Sequence, residues 1–205
     1  MGDGKKKELA FVDGKPVIVR AVLPFIELEE IESVVITTRS EDIASYEKTV
    51  SSFAGEIPIA FIAGGETRQD SVRIGLESLA TEHPEYVLIH DGARPWISRR
   101  LIRTVMDVVE KNDACIPVVH STDALKRIRE NRCMEHIARD DVYHAQTPQG
   151  FRFETILAAH RVAVEGDRRY VDDAEVYAAF GGTVFTIDGD PRNRKITHPH
   201  DLEAV

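Results

Sequence analysis

The sequence predicts an α/β fold with three layers, in which helices cover both faces of a mostly parallel β-sheet. From Glu32 onward, short apolar runs rich in β-branched residues alternate with segments of helical periodicity. The apolar runs are nearly continuous, which is typical of strands buried on both faces. Alternation of strand and helix along the chain is the pattern of a parallel sheet with crossover helices.

Five strands and five helices follow in order. The strands are predicted at 33–38, 58–63, 86–90, 115–119 and 183–187. The helices are predicted at 41–53, 66–80, 98–111, 153–165 and 173–180. The last helix runs into Gly181-Gly182, which is a common helix stop.

The segment at about 120–150 interrupts this alternation, because it is polar and short in periodicity and closes with a Thr-Pro turn. An arm or hairpin that projects from the sheet fits it. No internal repeat or Gly/Ser linker divides the chain. We therefore expect a single domain over residues 1–205 with one arm.

Composition narrows the class of protein. The formal net charge of −9 argues against a nucleic-acid partner, whereas a small anion needs only a few converging cations. The two cysteines, Cys115 and Cys133, show no spacing typical of a disulfide framework or a zinc site. No apolar run approaches the roughly 20 residues of a membrane span. We expect a cytoplasmic protein without a membrane partner.

Polar clusters follow three of the predicted strands, where ligands bind in sheets of this class. After 58–63 comes GGETRQDSV, in which Gly64 and Gly65 permit close backbone approach and Ser71 lies in the first turns of a helix. An ordinary strand-to-helix turn, with Glu66 near the N-cap, explains this stretch as well. Taken alone, the stretch favours that simpler interpretation.

After 86–90 comes DGARPW, in which Asp91 and Arg94 leave the strand end together and Gly92 gives the chain freedom. A carboxylate and a guanidinium at this place suit a sugar hydroxyl and a phosphate. The alternative is an internal ion pair that shapes the loop. The ligand-binding interpretation is favoured over the internal ion pair, because charged side chains at a buried edge are costly in free energy unless they are paired or bind a ligand.

A third cluster, RNRKITHPH, places Arg192, Arg194 and Lys195 beside a short extended run. A solvated basic turn is the alternative. His198 and His200 have no third ligand nearby in sequence, so we assign no metal to them. The chain contains no GxGxxG, P-loop, HExxH or EF-hand pattern.

Together, GGETRQDSV, HDGARP, HAQTPQGF and RKITHPHDL resemble the 2-C-methyl-D-erythritol 4-phosphate cytidylyltransferase family. The resemblance implies a Rossmann-like nucleotidyltransferase fold and a homodimer formed through the arm. It also implies transfer of CMP from CTP to the methylerythritol phosphate, with release of diphosphate and with Mg²⁺ or another divalent cation held mainly by the CTP phosphates. Ribitol 5-phosphate or another polyol phosphate is the alternative acceptor.

The resemblance assigns roles to individual residues. Three residues are expected to be catalytic: Lys7 as the cation that stabilises the transition state, Lys195 as the one that positions the incoming phosphate, and Arg139 as the arm residue that reaches the partner subunit's substrate.

The remaining assignments concern substrate binding. Lys195 and Arg139 also bind the substrate, with Arg94 and Thr147 at the alcohol phosphate. Asp91 and Gly92 lie where the ribose and the substrate are held. Cytosine recognition falls to Gly65, Glu66 and Ser71. No residue is assigned as a metal ligand.

The chain departs from the family pattern at three places. Ala124 and Val171 each stand where a hydroxyl residue is usual, and Arg194 replaces an apolar residue. A neutral hydrogen bond contributes only about 1 kcal/mol net, so each loss weakens a contact without abolishing it. The identity of the alcohol is thus less firmly specified than the reaction type.

The largest departure is at the start, where family members have a strand and a Gly-rich phosphate loop. Met1-Gly2 matches the last two residues of that loop, so the given sequence lacks the strand and most of the loop. We expect an exposed apolar slot in the sheet and reduced stability. An inactive nucleotide-binding or dimerisation protein is therefore a hypothesis of a different class.

Overall fold

The computed structural model describes residues 6–166 and 168–202, and Met1, Gly2 and Lys5 lie outside these ranges. The helices are α1 Val17–Ile26, α2 Ile43–Ser51, α3 Arg68–Leu79, α4 Arg99–Asn112, α5 Phe153–Ala163 and α6 Asp173–Ala179. The strands are β1 Phe11–Val12, β2 Lys15–Pro16, β3 Val34–Thr38, β4 Ile59–Ala63, β5 Tyr86–Ile89, β6 Ala114–His120, β7 Leu125–Arg129, β8 Arg132–Ile137, β9 Tyr143–Ala145, β10 Gln149–Arg152 and β11 Phe185–Asp188. Short 3-10 turns occupy Lys7–Leu9, Ser40–Asp42 and Pro199–Leu202.

The largest sheet has the strand order β11-β6-β10-β5, with β9 paired to β6. β11 runs parallel to β6, whereas β10 is antiparallel to both of its neighbours. β3 and β4 form a separate parallel pair. The largest sheet is therefore mixed, with parallel pairing between β11 and β6 and antiparallel pairing at β10 and β9.

Side chains alternate along the central strands and bury two opposite faces. Val87 and Ile89 of β5 pack with a cluster formed by α3, α5 and α6. Leu88, which lies between them, packs against α4 on the other face. This arrangement confirms the predicted three-layer α/β fold.

The short strands β1, β2 and β9 were not predicted, and neither were α1 and β10. α1 has the sequence VIVRAVLPFI, which is apolar almost throughout because most of its side chains are buried, so it lacks the polar face that identifies a helix. β10 contains polar Gln149 and Gly150 and lies within the segment expected to be the arm. It occupies a central position between β5 and β6 because Phe151, with 0% exposure, fills the core.

The arm itself is a hairpin of β7 and β8, within the segment predicted for it. Glu130 and Asn131 have φ values of 47° and 61° at its tip, as a type I′ turn requires. Most of its residues are exposed, including Ile128 and Met134. Its exposed apolar side chains are compatible with the predicted dimer contact, which remains a prediction.

An open slot separates β3 from β5. In the described chain, β3 hydrogen-bonds only to β4 and β5 only to β10, and their other edges line one cavity of about 1390 Å³. Apolar side chains of α1 and α3 cover its walls, among them Ile18, Val22, Phe25, Val72 and Leu76. The expected apolar slot is thus present within residues 6–166 and 168–202.

Gly150 tests the packing of the central strand. A Cβ at this position would lie 2.6 Å from Val109 Cγ2 and 2.8 Å from Val105 Cγ1, both of which are buried on α4. We expect Gly150→Ala to lower the free energy of unfolding by about 1–3 kcal/mol, measured by urea denaturation. Gly166→Ala is the control, because its Cβ would meet no atom closer than 4.0 Å. Equal stability of the two variants would contradict this packing.

Candidate active site

The carboxylate of Asp91 is the centre of a cation cluster at the carboxyl end of β5. Lys195 Nζ lies 3.0 Å from its Oδ2, and Arg94 Nε lies 3.5 Å from the same oxygen. Arg68 Nε lies 3.3 Å from the other oxygen, Oδ1. The structure therefore brings three of the residues predicted for substrate binding together, and adds Arg68.

These contacts set the protonation state of the carboxylate. Burial of Asp91 would raise its pKa, but the charges of Lys195, Arg68 and Arg94 outweigh burial and lower the pKa to about 2. Asp91 is thus ionised at neutral pH. It holds the cations in place without becoming a proton donor.

Backbone contacts join the C-terminal segment to the loop that carries Asp91. The N–H of Ile196 donates to the carbonyl of Ala93 at 2.8 Å, and Arg94 Nη1 donates to the carbonyl of Asn193 at 2.8 Å. Lys7 Nζ donates to the carbonyl of Ile196 at 2.9 Å. Lys7 and Lys195 therefore lie on adjacent parts of one site, although 188 positions separate them in the chain.

Thr147 supports the same loop from beneath. Its Oγ1 accepts a hydrogen bond from the N–H of Asp91 at 3.1 Å and lies 2.9 Å from His90 Nδ1. His90 Nε2 faces the carbonyl of Arg94 at 3.3 Å, and a carbonyl only accepts, so Nε2 carries the proton. Nδ1 then accepts from the Thr147 hydroxyl. The predicted phosphate-binding residue thus uses its hydroxyl group, in this structure, to fix the loop.

The loop before α3 and the start of α3 contain the three residues predicted to recognise cytosine, with Gly65 and Glu66 in the loop and Ser71 in the helix. Ser71 Oγ donates to the carbonyl of Thr67 at 2.9 Å and accepts from the N–H of Gly65 at 3.1 Å, which closes the loop. A Cβ at Gly65 would lie 2.3 Å from Asp70 Cβ, so only glycine fits there. Glu66 is exposed beside it. The N-cap of α3 is Thr67, in a capping box with Asp70, so Glu66 lies next to the cap, as the alternative interpretation expected.

Other predicted residues lie at the rim or farther away. A Cβ at Gly92 would lie 2.9 Å from Ile18 Cδ1, so the loop passes close to α1. Arg139 is exposed on the arm, where its Nη1 donates to the carbonyl of Thr122 at 2.8 Å. Within residues 6–166 and 168–202, no hydrogen bond or ion pair joins Arg139 to Asp91 or to its three cations.

Sequence reasoning missed four residues behind the site: His90, Arg68, His160 and Asp173. His90 and Arg68 stood inside quoted motifs, HDGARP and GGETRQDSV, where a polar residue beside an assigned one was a usable signal. His160 and Asp173 lie on two different helices, and nothing in their spacing indicates that they meet.

The donor set bears on metal binding. Among residues 6–166 and 168–202, no group of three or more His, Cys, Asp or Glu side chains is arranged to hold a metal ion. Asp91, the carboxylate at the centre of the site, already faces three cations. A divalent cation in this site would have to take most of its ligands from a bound substrate.

A cluster of lysine and arginine side chains at the carboxyl edge of a Rossmann-like α/β sheet, beside a tight Gly-Gly loop, is typical of phosphate-binding sites in nucleotide-binding α/β proteins. Residues 1–205 match the profile of the family described as 2-C-methyl-D-erythritol 4-phosphate cytidylyltransferase. The chain belongs to this family.

Relatives and solved structures agree with this assignment. The chain is 40% identical over 203 residues to the bifunctional enzyme IspD/IspF of Rhodopseudomonas palustris strain BisB5, which covers 98% of the chain and 50% of the relative. It resembles the 4-diphosphocytidyl-2C-methyl-D-erythritol synthase of Anaerococcus prevotii with a TM-score of 0.86 and 27% identity, covering 96% of this chain and 90% of that one. The 2-C-methyl-D-erythritol 4-phosphate cytidylyltransferase of Thermus thermophilus gives a TM-score of 0.80 and 28% identity over the same shares. The chain spans about half the length of the curated relatives it matches.

His90 gives the protein a measurable dependence of stability on pH. Burial lowers its pKa from 6.5 to about 4, against the opposing effect of the Asp91 charge. The unfolded chain therefore takes up a proton before the folded chain does, and stability falls as pH drops through this window. The loss approaches about 1.4 kcal/mol per pH unit between roughly pH 6 and 5. Asp91 affects stability only at lower pH. Its contribution to the free energy of unfolding is lost as pH falls from its ordinary pKa of 3.8 to its pKa of about 2 in the folded protein.

Urea denaturation at pH 7, 6 and 5 measures this dependence. We expect His90→Gln to flatten the decline, because glutamine does not titrate. An unchanged decline in His90→Gln would show that another group is responsible.

Proposed function

We propose that the protein transfers CMP from CTP to 2-C-methyl-D-erythritol 4-phosphate, giving 4-diphosphocytidyl-2-C-methyl-D-erythritol and diphosphate. The observation that carries the proposal is the convergence of Lys195 and Arg94 on Asp91, with Lys7 bound to the carbonyl of Ile196 next to Lys195, in a member of this family. The reaction belongs to the synthesis of isoprenoid precursors.

The chemistry matches a site built from cations. An oxygen of the alcohol phosphate attacks the α-phosphorus of CTP, a new P–O bond forms, and the bond to diphosphate breaks. The attacking phosphate is already an anion at neutral pH, so the reaction needs positioning and charge neutralisation more than a general base. The ionised Asp91 and the neutral His90 are consistent with this, since neither is needed as a base.

The cations divide the work between the two substrates. Lys7 stabilises the charge that develops at the α-phosphate, and Lys195 with Arg94 receives the alcohol phosphate. Asp91 fixes the direction of Lys195 and Arg94 through its Oδ2. When substrate binds, phosphate oxygens compete for these cations, because a doubly charged phosphate attracts them more strongly than one carboxylate does.

The nucleoside lies against the loop before α3. Gly65, Glu66 and Ser71 present backbone and side-chain polar groups to the cytosine, and Asp91 and Gly92 hold the ribose. Because a Cβ on Gly64 would lie 2.6 Å from Ser71 Oγ, the two glycines allow the loop to close tightly. A flat base can then approach the backbone directly.

Mg²⁺ would be bound mainly by the CTP phosphates, and it would supply charge neutralisation on the triphosphate. The protein residues that face the triphosphate would be Lys7 and the cations around Asp91.

The arm completes the site of a second subunit. Its exposed hairpin carries Arg139 away from the Asp91 cluster of its own chain, so the guanidinium is free to reach a partner's alcohol phosphate once the Thr122 contact is exchanged. The protein would thus act as a homodimer in the cytoplasm, without a nucleic-acid or membrane partner. None of the helices in the described part of the chain combines the length and apolar character that a membrane crossing needs.

Two observations favour testing alternatives to the proposed acceptor and to the proposed activity. Ala124 and Val171 lack the hydroxyl groups usual in the family, which favours testing ribitol 5-phosphate as an acceptor. No strand joins β3 to β5 across the slot in the described part of the chain, and this favours testing an inactive nucleotide-binding role.

We expect the 205-residue chain to convert CTP slowly. A version extended at its N-terminus by an apolar strand and a Gly-rich loop of the kind that the family resemblance implies should convert CTP at least 10²-fold faster, because loop N–H groups stabilise the triphosphate. The measurement is diphosphate release with Mg²⁺, CTP and either methylerythritol phosphate or ribitol phosphate. Preference for ribitol phosphate would overturn the proposed acceptor. Failure of both forms with both alcohols would favour the inactive nucleotide-binding role.

Mixing two defective variants tests the arm. In a dimer of one Lys7→Ala subunit and one Arg139→Ala subunit, a trans-acting Arg139 leaves one site with both residues intact. Random mixing places about a quarter of all sites in that state, so activity should recover to about a quarter of the wild-type value at low alcohol phosphate. Each variant alone should stay low, with kcat reduced on the order of 10²-fold for Lys7→Ala. No recovery on mixing would show that Arg139 does not act across the dimer.

A further inference from the structure

We propose that Arg68 is a positioning residue, which ties the site carboxylate of Asp91 to a buried anchor formed by Asp173 and His160. This inference rests on the proposed function, because it assigns Arg68 a part in the same site. Neither the family assignment nor the motifs discussed above gives these three residues a role.

Arg68 connects two carboxylates that belong to distant parts of the chain. It is the first residue of α3, and its Nη2 lies 2.7 Å from Asp173 Oδ2 while its Nε lies 3.3 Å from Asp91 Oδ1. Asp173 is the first residue of α6, and Asp91 follows β5. One planar guanidinium thus fixes the separation of these two carboxylates, which a lysine cannot do with the same geometry.

The far end of this connection is rigid. The side chain of Asp173 is 1% exposed, and its Oδ1 lies 3.2 Å from Nε2 of His160, whose side chain is fully buried. The carboxylate only accepts, so His160 Nε2 carries the proton and donates it. Burial would raise the pKa of Asp173, but the hydrogen bond from His160 and the charge of Arg68 lower it. A carboxylate held this way keeps its charge and cannot rotate freely.

The near end is the centre of the site. Because Arg68 binds Oδ1 of Asp91, Oδ2 is directed at Lys195 and Arg94. Loss of the Arg68 contact would let the carboxylate turn, and Lys195 would lose the orientation that the incoming phosphate needs. The expected effect is therefore on the rate of reaction, exerted through Asp91.

A direct contact between Arg68 and substrate is the competing explanation, since Arg68 also lines the cavity between β3 and β5. The two explanations differ in what happens when Asp91 is already absent. A positioning residue loses its effect in an Asp91 variant, whereas a residue that touches substrate keeps it.

The kinetic test is a double-mutant cycle with Arg68→Lys and Asp91→Asn, measured as kcat with CTP and methylerythritol phosphate on the 205-residue chain or, if it alone turns over, on the extended form. Arg68→Lys should lower kcat about tenfold in the wild-type background, as a displaced reacting group does. It should lower kcat less than about twofold when Asp91 is asparagine. Equal losses in both backgrounds would overturn the proposal.

Asp173→Asn tests the anchor, which lies outside the cavity. It should lower kcat by about the same factor as Arg68→Lys, and the two changes together should cost little more than either alone. An unchanged kcat in a folded Asp173→Asn protein would overturn the anchor. If this variant does not fold, the Arg68→Lys cycle still decides the proposal, because Arg68 is only part-buried.

Arg161→Lys is the matched control. Arg161 binds Glu77 through two hydrogen bonds of 2.8 Å and 2.6 Å on the outer surface of α5 and α3. It has the same chemistry as Arg68 without the connection to Asp91. We expect its kcat to equal that of the wild type.

A second measurement separates this proposal from the proposed function. Carbon-13 NMR of the Asp91 carboxyl group in the 205-residue chain needs no turnover. Arg68→Gln removes one of the three cations, so the carboxyl group should titrate at higher pH than in the wild type, whereas Arg161→Gln should leave it unchanged. Identical titration in wild type and Arg68→Gln would overturn the contact. If the wild type shows no activity with any alcohol, the proposed function fails and this titration still tests the role of Arg68.

Discussion

A single carboxylate shared by three cations organises this protein. Asp91 draws Arg68 from the start of α3, Arg94 from its own loop and Lys195 from the C-terminal segment to within 3.0–3.5 Å. Without that negative charge the three cations would repel one another across a part-buried edge. With it they form a stable cluster that still carries a surplus of positive charge. Such a cluster is stable before substrate arrives and attractive to phosphate afterwards.

The cluster around Asp91 also connects the two sides of the slot between β3 and β5. β3 with β4 forms one sheet and β5 belongs to another, so no strand-to-strand hydrogen bond joins them in the described chain. α3 lies across the division: a Cβ at its Gly75 would lie 3.3 Å from Thr37 of β3, and its Arg68 binds Asp91 beyond β5. The loop that begins α3 would hold cytosine, and the loop after β5 would hold the phosphates. The distance between the two substrate-binding loops therefore depends on side-chain contacts in place of a shared ladder.

Sequence patterns predicted the strands and helices that have a local signature in the chain. β3 to β6 and β11 are apolar runs, and α2 to α6 carry an apolar stripe, so each has a local signature. α1 and β10 do not: α1 is buried almost all round, and β10 owes its place to Phe151 and to a glycine that lets α4 approach. The formation of both elements depends on the residues that pack against them. Those residues are distant in sequence, so a local pattern does not reveal the elements.

The candidate site divides in the same way. Lys7, Asp91, Arg94 and Lys195 were predicted from motifs in the family's order, and the structure brings them together. The contact between Arg68 and Asp173 joins residues 105 positions apart, and that between His160 and Asp173 joins two helices. Such contacts follow from the packing of α3, α5 and α6, so they become visible only in three dimensions. Arg139 remains a prediction, because a site shared between subunits cannot be read from one chain.

The hydrogen bond between Lys7 and the carbonyl of Ile196 spans 189 positions of the 205-residue sequence. Chains are synthesised from the N-terminus and fold as their parts emerge from the ribosome. Most of the core, including the cluster around Phe151 and α5, is available before residues 190–196 have been made. During synthesis the protein therefore passes through a stage that has a hydrophobic interior but no assembled phosphate site. Its lysines can meet a nucleotide in the right geometry only after translation has almost reached the end of this segment.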